Sequence, residues 1–135
     1  MILLDTSFLV DAMAGSKNSA SQLRRAFEQG ELVLVPALVL YEWLRGPRVR
    51  SEIAAMEALF PVKSIAIFGH EEAIVSAGLY RSASRPRGRE MDLAIAACAI
   101  ARKAELWTLN LADFKDIPGL RLHAGVPPKA ERPIT

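Results

Sequence analysis

Short runs of consecutive apolar residues alternate along this chain with longer stretches whose apolar positions recur every three or four residues. The first pattern belongs to strands buried on both faces, the second to helices with one covered side. Residues 1–4 form the first such run, stopped by Asp5-Thr6-Ser7. That tripeptide suits the cap of a helix continuing through Phe8, Leu9 and Met13. Residues 16–29 predict a second helix with Leu23, Ala26 and Phe27 on one face and Gly30 as its stop. Residues 32–35 predict a second strand ended by Pro36, and residues 37–45 a helix closed by Gly46-Pro47. Residues 48–60 predict a helix with Ile53, Met56 and Leu59 inward, residues 62–67 a third strand, and residues 70–83 a further helix. Residues 92–104 predict the most buried helix, because Ala94, Ile95, Ala97, Cys98, Ile100 and Ala101 wrap most of its circumference. Residues 105–109 and 120–123 complete five strands.

Strands of this kind separated by helices predict the α/β class: a three-layer α/β/α domain around a central parallel sheet of about five strands. No repeat or linker divides the chain, so one domain is expected over residues 1–125. Residues 126–135, with three prolines, are expected to be a flexible tail outside it. In such sheets the ligand site lies beyond the carboxyl ends of the strands.

Composition narrows the class without naming a function. The 135 residues are 51% apolar and 24% charged, which excludes a disordered or low-complexity chain. A single cysteine, Cys98, excludes an internal disulfide and a multi-cysteine zinc site, and its place among alanines makes it a core thiol. The longest apolar run, residues 32–41, is half of a membrane span and contains a proline. The start lacks a basic leader, so a cytoplasmic protein without a membrane segment is expected. Net charge is only +2, yet the arginines cluster: Arg81, Arg85, Arg87 and Arg89 in one stretch, Arg45, Arg48 and Arg50 in another. Such clusters suit phosphate contacts and equally suit solvated loops.

The acids are more telling. Asp5 follows the first strand, Glu42 lies on the helix after the second, Asp92 opens the buried helix, and Asp113 lies just past the fourth strand. If strands one, two and four are neighbours, these four converge on one sheet edge. Glu42 stands in an apolar stretch, Leu38 to Leu44, where a lone carboxylate is costly without a partner or cation. Asp92 taken alone reads as a helix cap, and Glu42 alone as an arginine-paired acid. Together the four would repel one another unless a hard divalent cation such as Mg²⁺ or Mn²⁺ sat between them. His70 reads as a helix-start residue and His123 as a strand-edge residue, and neither flanks a nucleophile. No glycine-rich phosphate loop and no Gly-x-Ser-x-Gly elbow is present.

At this point a resemblance enters. The opening Met-Ile-Leu-Leu-Asp-Thr-Ser-Phe-Leu-Val-Asp, Glu42, Asp92-Leu-Ala-Ile-Ala-Ala-Cys-Ala, and Thr108-x-Asn110-x-x-Asp113-Phe114 followed by Ile117-Pro118-Gly119-Leu120 resemble PIN-domain nucleases over residues 1–123. At this length the chain is similar to VapC-type toxins of toxin–antitoxin pairs. The resemblance implies a Mg²⁺- or Mn²⁺-dependent endoribonuclease with Asp5, Glu42, Asp92 and Asp113 as its acidic quartet. Asp5, Asp92 and Asp113 would be the metal ligands, the last directly or through water. Glu42 would orient the attacking water or hold a second ion, and Thr6, Thr108 and Asn110 would support the carboxylates by hydrogen bonds. Arg85, Arg87 and Arg89 are candidate RNA contacts. An antitoxin and a second copy are the implied protein partners, with Leu38, Trp43, Leu44, Leu79 and Tyr80 as candidates for a two-fold interface.

Two features depart from the family pattern. Ala37 stands where a Ser or Thr often supports the glutamate, and Glu90 is an extra acid, read as a helix-start charge. Three rivals are weighed. A haloacid-dehalogenase-like phosphatase needs a second Asp where Ser7 stands. A response receiver needs an acceptor Asp after strand three, where Ile67-Phe68-Gly69-His70 is found. A PIN-like module that only binds RNA or a partner would not need the intact quartet.

Overall fold

Five strands lie parallel in the order β3-β2-β1-β4-β5 in the computed structural model, which describes residues 1–14 and 17–125. The strands are β1 (Ile2–Leu4), β2 (Val33–Pro36), β3 (Ile65–Ala66), β4 (Glu105–Trp107) and β5 (Arg121–Leu122). The helices are α1 (Thr6–Met13), α2 (Lys17–Glu28), α3 (Ala37–Leu44), α4 (Arg50–Leu59), α5 (His70–Ser82), α6 (Glu90–Ala101) and α7 (Leu111–Phe114). The α/β expectation and its central parallel sheet therefore hold. The central strand β1 is fully covered, with Leu3 paired to Leu34 on one side and to Leu106 on the other. Its unbroken apolar run follows from having no face toward water.

The order places a switch between β1 and β4, because the chain leaves β1 toward β2 and returns through α6 to the other side. Asp5 ends β1, Thr108 follows β4, and α3 rises directly from β2. Phe8 stacks on Trp107 with ring centroids 4.1 Å apart, which locks the start of α1 onto β4. That contact fixes the two segments that build the site.

Several expected boundaries move. Strand three is only two residues long. Pro61 instead starts a 3-10 turn over Val62–Ser64, closed by Ser64 N–H donating to the Pro61 carbonyl at 2.7 Å. Val62 is 90% exposed there, the opposite of a buried strand residue. Pro36 is the last residue of β2, where its missing N–H costs nothing, and not a stop outside it. Leu59 faces solvent, since α4 ends with it and Phe60 turns inward, its ring centroid 5.9 Å from that of Phe27. Trp43 and Leu79 belong to the monomer's own core and so cannot line a two-fold interface. Of that expected set, Leu44 and Tyr80 remain exposed. Cys98 is buried and unpaired, as expected. The tail expected over 126–135 lies outside the described residues.

Candidate active site: a carboxylate cleft at the switch point

Helix α6 begins two residues earlier than its apolar pattern suggests. Gly88, at φ +84°, makes the left-handed turn, and the Arg89 carbonyl accepts the Leu93 N–H at 2.9 Å. Asp92 is therefore the third helical residue, and no cap hydrogen bond occupies it. The capping reading of Asp92 is corrected: its carboxylate is left to face the cleft.

Asp5 does cap its helix. Its Oδ1 accepts the Ser7 main-chain N–H at 2.7 Å, while Oδ2 accepts the Ser7 hydroxyl at 3.1 Å and the Thr108 hydroxyl. These hydroxyls are held in turn: Leu109 N–H donates to Ser7 Oγ at 3.0 Å, and Asn110 N–H to Thr108 Oγ1 at 2.9 Å. A carboxylate has about four acceptor positions. Three are used inside the protein, so Asp5 is oriented with one left. The residue is 4% exposed, and burial raises its pKa above the ordinary value despite those hydrogen bonds.

Asp5, Glu42 and Asp92 line one cleft of about 560 Å³ together with Thr6, Ser7 and Asn110. Burial also raises the pKa of Asp92, and the charges of Asp113, Asp5 and Glu42 raise it further against the pull of Arg89. Three acids of the expected quartet thus line the cleft, and the charge of the fourth, Asp113, reaches Asp92 from outside it. Asp113 itself is exposed on α7, between Asn110 and Phe114, which both border the cleft. Glu42 is supported by Thr6, whose hydroxyl donates to Oε1 at 2.6 Å, and Arg45 stands 3.6 Å from Oε2. Thr6 thereby supplies the support that Ala37 cannot.

Three site features were missed or misread at the level of sequence. Ser7 is a hub, signalled only by its place in Asp-Thr-Ser. Among the described residues the Asn110 side chain makes no hydrogen bond to a carboxylate; its main chain does the supporting, through Thr108. Arg89 is engaged by Asp116 and by the Asp113 carbonyl, so its guanidinium is not free, whereas Arg85 and Arg87 are exposed. Asp11 also borders the cleft but is bonded to Ser19.

The donor set is all oxygen. His123 is turned away against Trp107 and Glu105, and Cys98 is in the core. Such a set suits a hard divalent cation, which needs only one or two carboxylates and keeps several waters. Among the described residues no three acidic, histidine or cysteine side chains stand close enough together to hold a metal ion between them. Mutually repelling carboxylates tied to hydroxyls and Arg45 account for this open arrangement. The second acid of a dehalogenase-like phosphatase is absent, since Ser7 donates to Asp5 from that position.

Comparison with known proteins agrees. Residues 2–120 match the PIN domain family. Ribonuclease VapC19 of Mycobacterium tuberculosis is 35% identical over 124 residues, covering 90% of this chain and 98% of that protein. Similar solved structures include VapBC2 from Rickettsia felis bound to a DNA fragment from their promoter. Its TM-score is 0.75 at 24% identity, over 91% of this chain and 98% of that one. DNA-bound VapBC from Salmonella typhimurium gives 0.76 at 22% identity, over 90% and 96%.

Proposed function

The chain belongs to the PIN-domain family, and from that premise we propose that it is a divalent-cation-dependent endoribonuclease acting as the toxin of a toxin–antitoxin pair. The observation that carries this reading is the cleft at the sheet switch, which carboxylates from three separate elements line together, with Arg45 beside Glu42. The name of the Mycobacterium tuberculosis relative supports RNA as the substrate, and the solved VapBC complexes support a protein antitoxin.

Asp5 and Asp92 would hold Mg²⁺ or Mn²⁺, with Asp113 joining directly or through water. When bound, such an ion activates water and offsets the charge of the phosphodiester being cut. Glu42 has Oε1 fixed by Thr6, which leaves Oε2 to orient the attacking water. Arg45, 3.6 Å from that oxygen and largely exposed, is placed to meet the phosphate. Arg85 and Arg87, both exposed, extend the basic surface for the RNA backbone. Single-stranded segments are the expected targets, since paired A-form RNA hides its bases from side chains.

Among the described residues no helix is long and apolar enough to cross a membrane, in keeping with a cytoplasmic site of action. A homodimer is expected, with exposed Leu44 and Tyr80 as candidates for its contact. Light scattering and co-purification with the product of the neighbouring small reading frame test both associations. The activity is tested by incubating the chain with total cellular RNA, with Mg²⁺ or with chelator, beside Asp5→Asn. Fragments should appear only with wild type and Mg²⁺. Equal cleavage by Asp5→Asn, or cleavage in chelator, would refute the reading.

A further inference from the structure

We propose that Arg89 is a positioning residue of this cleft, clamping the start of the helix that carries Asp92 to the short helix that carries Asp113. The inference deepens the cation-dependent reading above and rests on it. Arg89 joins two parts of the chain that sequence keeps far apart. Its main chain belongs to the turn opening α6: its N–H donates to the Pro86 carbonyl at 3.0 Å and its carbonyl accepts the Leu93 N–H. Its side chain crosses to the other segment. Nη1 donates to Asp116 Oδ2 at 3.0 Å, and Nη2 donates both to Asp116 Oδ1 at 2.7 Å and to the Asp113 carbonyl at 2.9 Å.

Helix α7 has only four residues. A single turn does not hold itself in water, so its placement depends on tertiary tethers. Phe114 and Ile117, both buried, anchor one side. The Arg89 fork anchors the other, and does so through the backbone of Asp113 itself. The Asp113 side chain is exposed and has no hydrogen-bond partner among the described residues, so its direction follows from that backbone. The charge of Asp113 bears on Asp92, and among the described residues no other hydrogen bond or ion pair joins the start of α6 to the end of α7. Arginine suits the task because a planar fork can grip a carboxylate with two parallel bonds and still reach a carbonyl. A lysine ammonium, a point donor, lacks that geometry.

The clamp and a simple electrostatic role predict opposite signs. Removing a positive charge beside a cation site should by Coulomb's law strengthen cation binding. Removing a clamp should weaken it. The test is Mn²⁺ affinity of the full chain, measured by titration calorimetry well below the melting temperature, for wild type, Arg89→Ala, Arg89→Lys, Asp116→Ala and the double variant. RNA affinity in chelator is measured alongside. Each single variant should bind Mn²⁺ about tenfold more weakly, the range typical of residues that orient ligands. The double variant should be no weaker than Arg89→Ala, and RNA affinity without metal should not change. Arg89→Lys keeps the positive charge and removes only the fork, so it carries the test should Arg89→Ala not fold.

Unchanged Mn²⁺ affinity in Asp116→Ala would overturn the clamp, as would tighter binding in Arg89→Ala. So would a loss confined to RNA affinity, which would return Arg89 to the phosphate contacts. A wild type that binds no Mn²⁺ would instead refute the proposed function itself, a result distinct from wild-type binding that the variants leave untouched.

Discussion

Asp5 is held by three hydrogen bonds and presents one remaining acceptor position, so the hydroxyls behind it are as much part of the site as the carboxylate. Thr108→Val removes one donor and leaves the Asn110 N–H without its acceptor. It should lower stability by about 1–2 kcal/mol and cleavage by roughly ten- to a hundredfold, read from urea unfolding and initial rates. Asp92 gives the opposite stability effect. Burial and the neighbouring acids hold its pKa high, so the ionised form is disfavoured by the fold. Asp92→Asn should therefore raise the melting temperature in chelator by about 3–5 °C, as a gain near 1 kcal/mol would, while abolishing cleavage. Added Mg²⁺ should raise the melting point of wild type and not that of the variant. A cleft shared by Asp5, Glu42 and Asp92 was legible because an acid inside an apolar run, or directly after a strand, has few innocent explanations. That Thr6 would support a carboxylate was expected from the resemblance; that it would be Glu42 was not legible, because the bond spans 36 positions and depends on how α1 meets α3.

Among the elements, α5 and the end of α6 are joined by a partly buried ion pair that the apolar pattern does not reveal. Arg102 Nη1 lies 2.8 Å from Glu72 Oε1, and its Nη2 donates to the Ile67 carbonyl at 2.7 Å. Hydrogen bonds from Glu72's own and Gly69's main-chain N–H, with the charge of Arg102, hold the Glu72 pKa below its usual 4.5. A depressed carboxylate stabilises the fold above its unfolded pKa, and that contribution is lost as pH falls through the lower folded value. Glu72→Gln should thus cost about 1–3 kcal/mol near pH 7, and the gap to wild type should close as pH drops below about 4. Denaturant unfolding across pH 3–7 measures it. Helix and strand identities followed from periodicity except for α7, whose four residues are too few to show a period, whereas ends did not. Strand β3 shrank to two residues because Pro61 and the exposed Val62 form a turn. The start of α6 moved because Gly88 and Arg89, not Asp92, set it.

At the scale of the molecule, the strand order β3-β2-β1-β4-β5 brings to one cleft acids that lie as far apart in sequence as Asp5 and Asp92. The alternation of strands and helices foretold a parallel sheet and an edge site, while the order itself came from the structure. The basic loop before α6 makes a further prediction. Arg85→Ala with Arg87→Ala should weaken RNA binding and flatten its salt dependence by about 0.7 per lost phosphate contact. Filter binding at several salt concentrations checks this, and an unchanged slope would make the loop a solvated turn. The central claim is that Asp5 and Asp92 share a divalent cation at the switch point. Anomalous scattering from crystals grown in Mn²⁺ tests it most directly. A manganese peak within coordination distance of both carboxylates is the predicted result; a difference map empty at this cleft, from protein that still cleaves RNA in Mn²⁺, would contradict it.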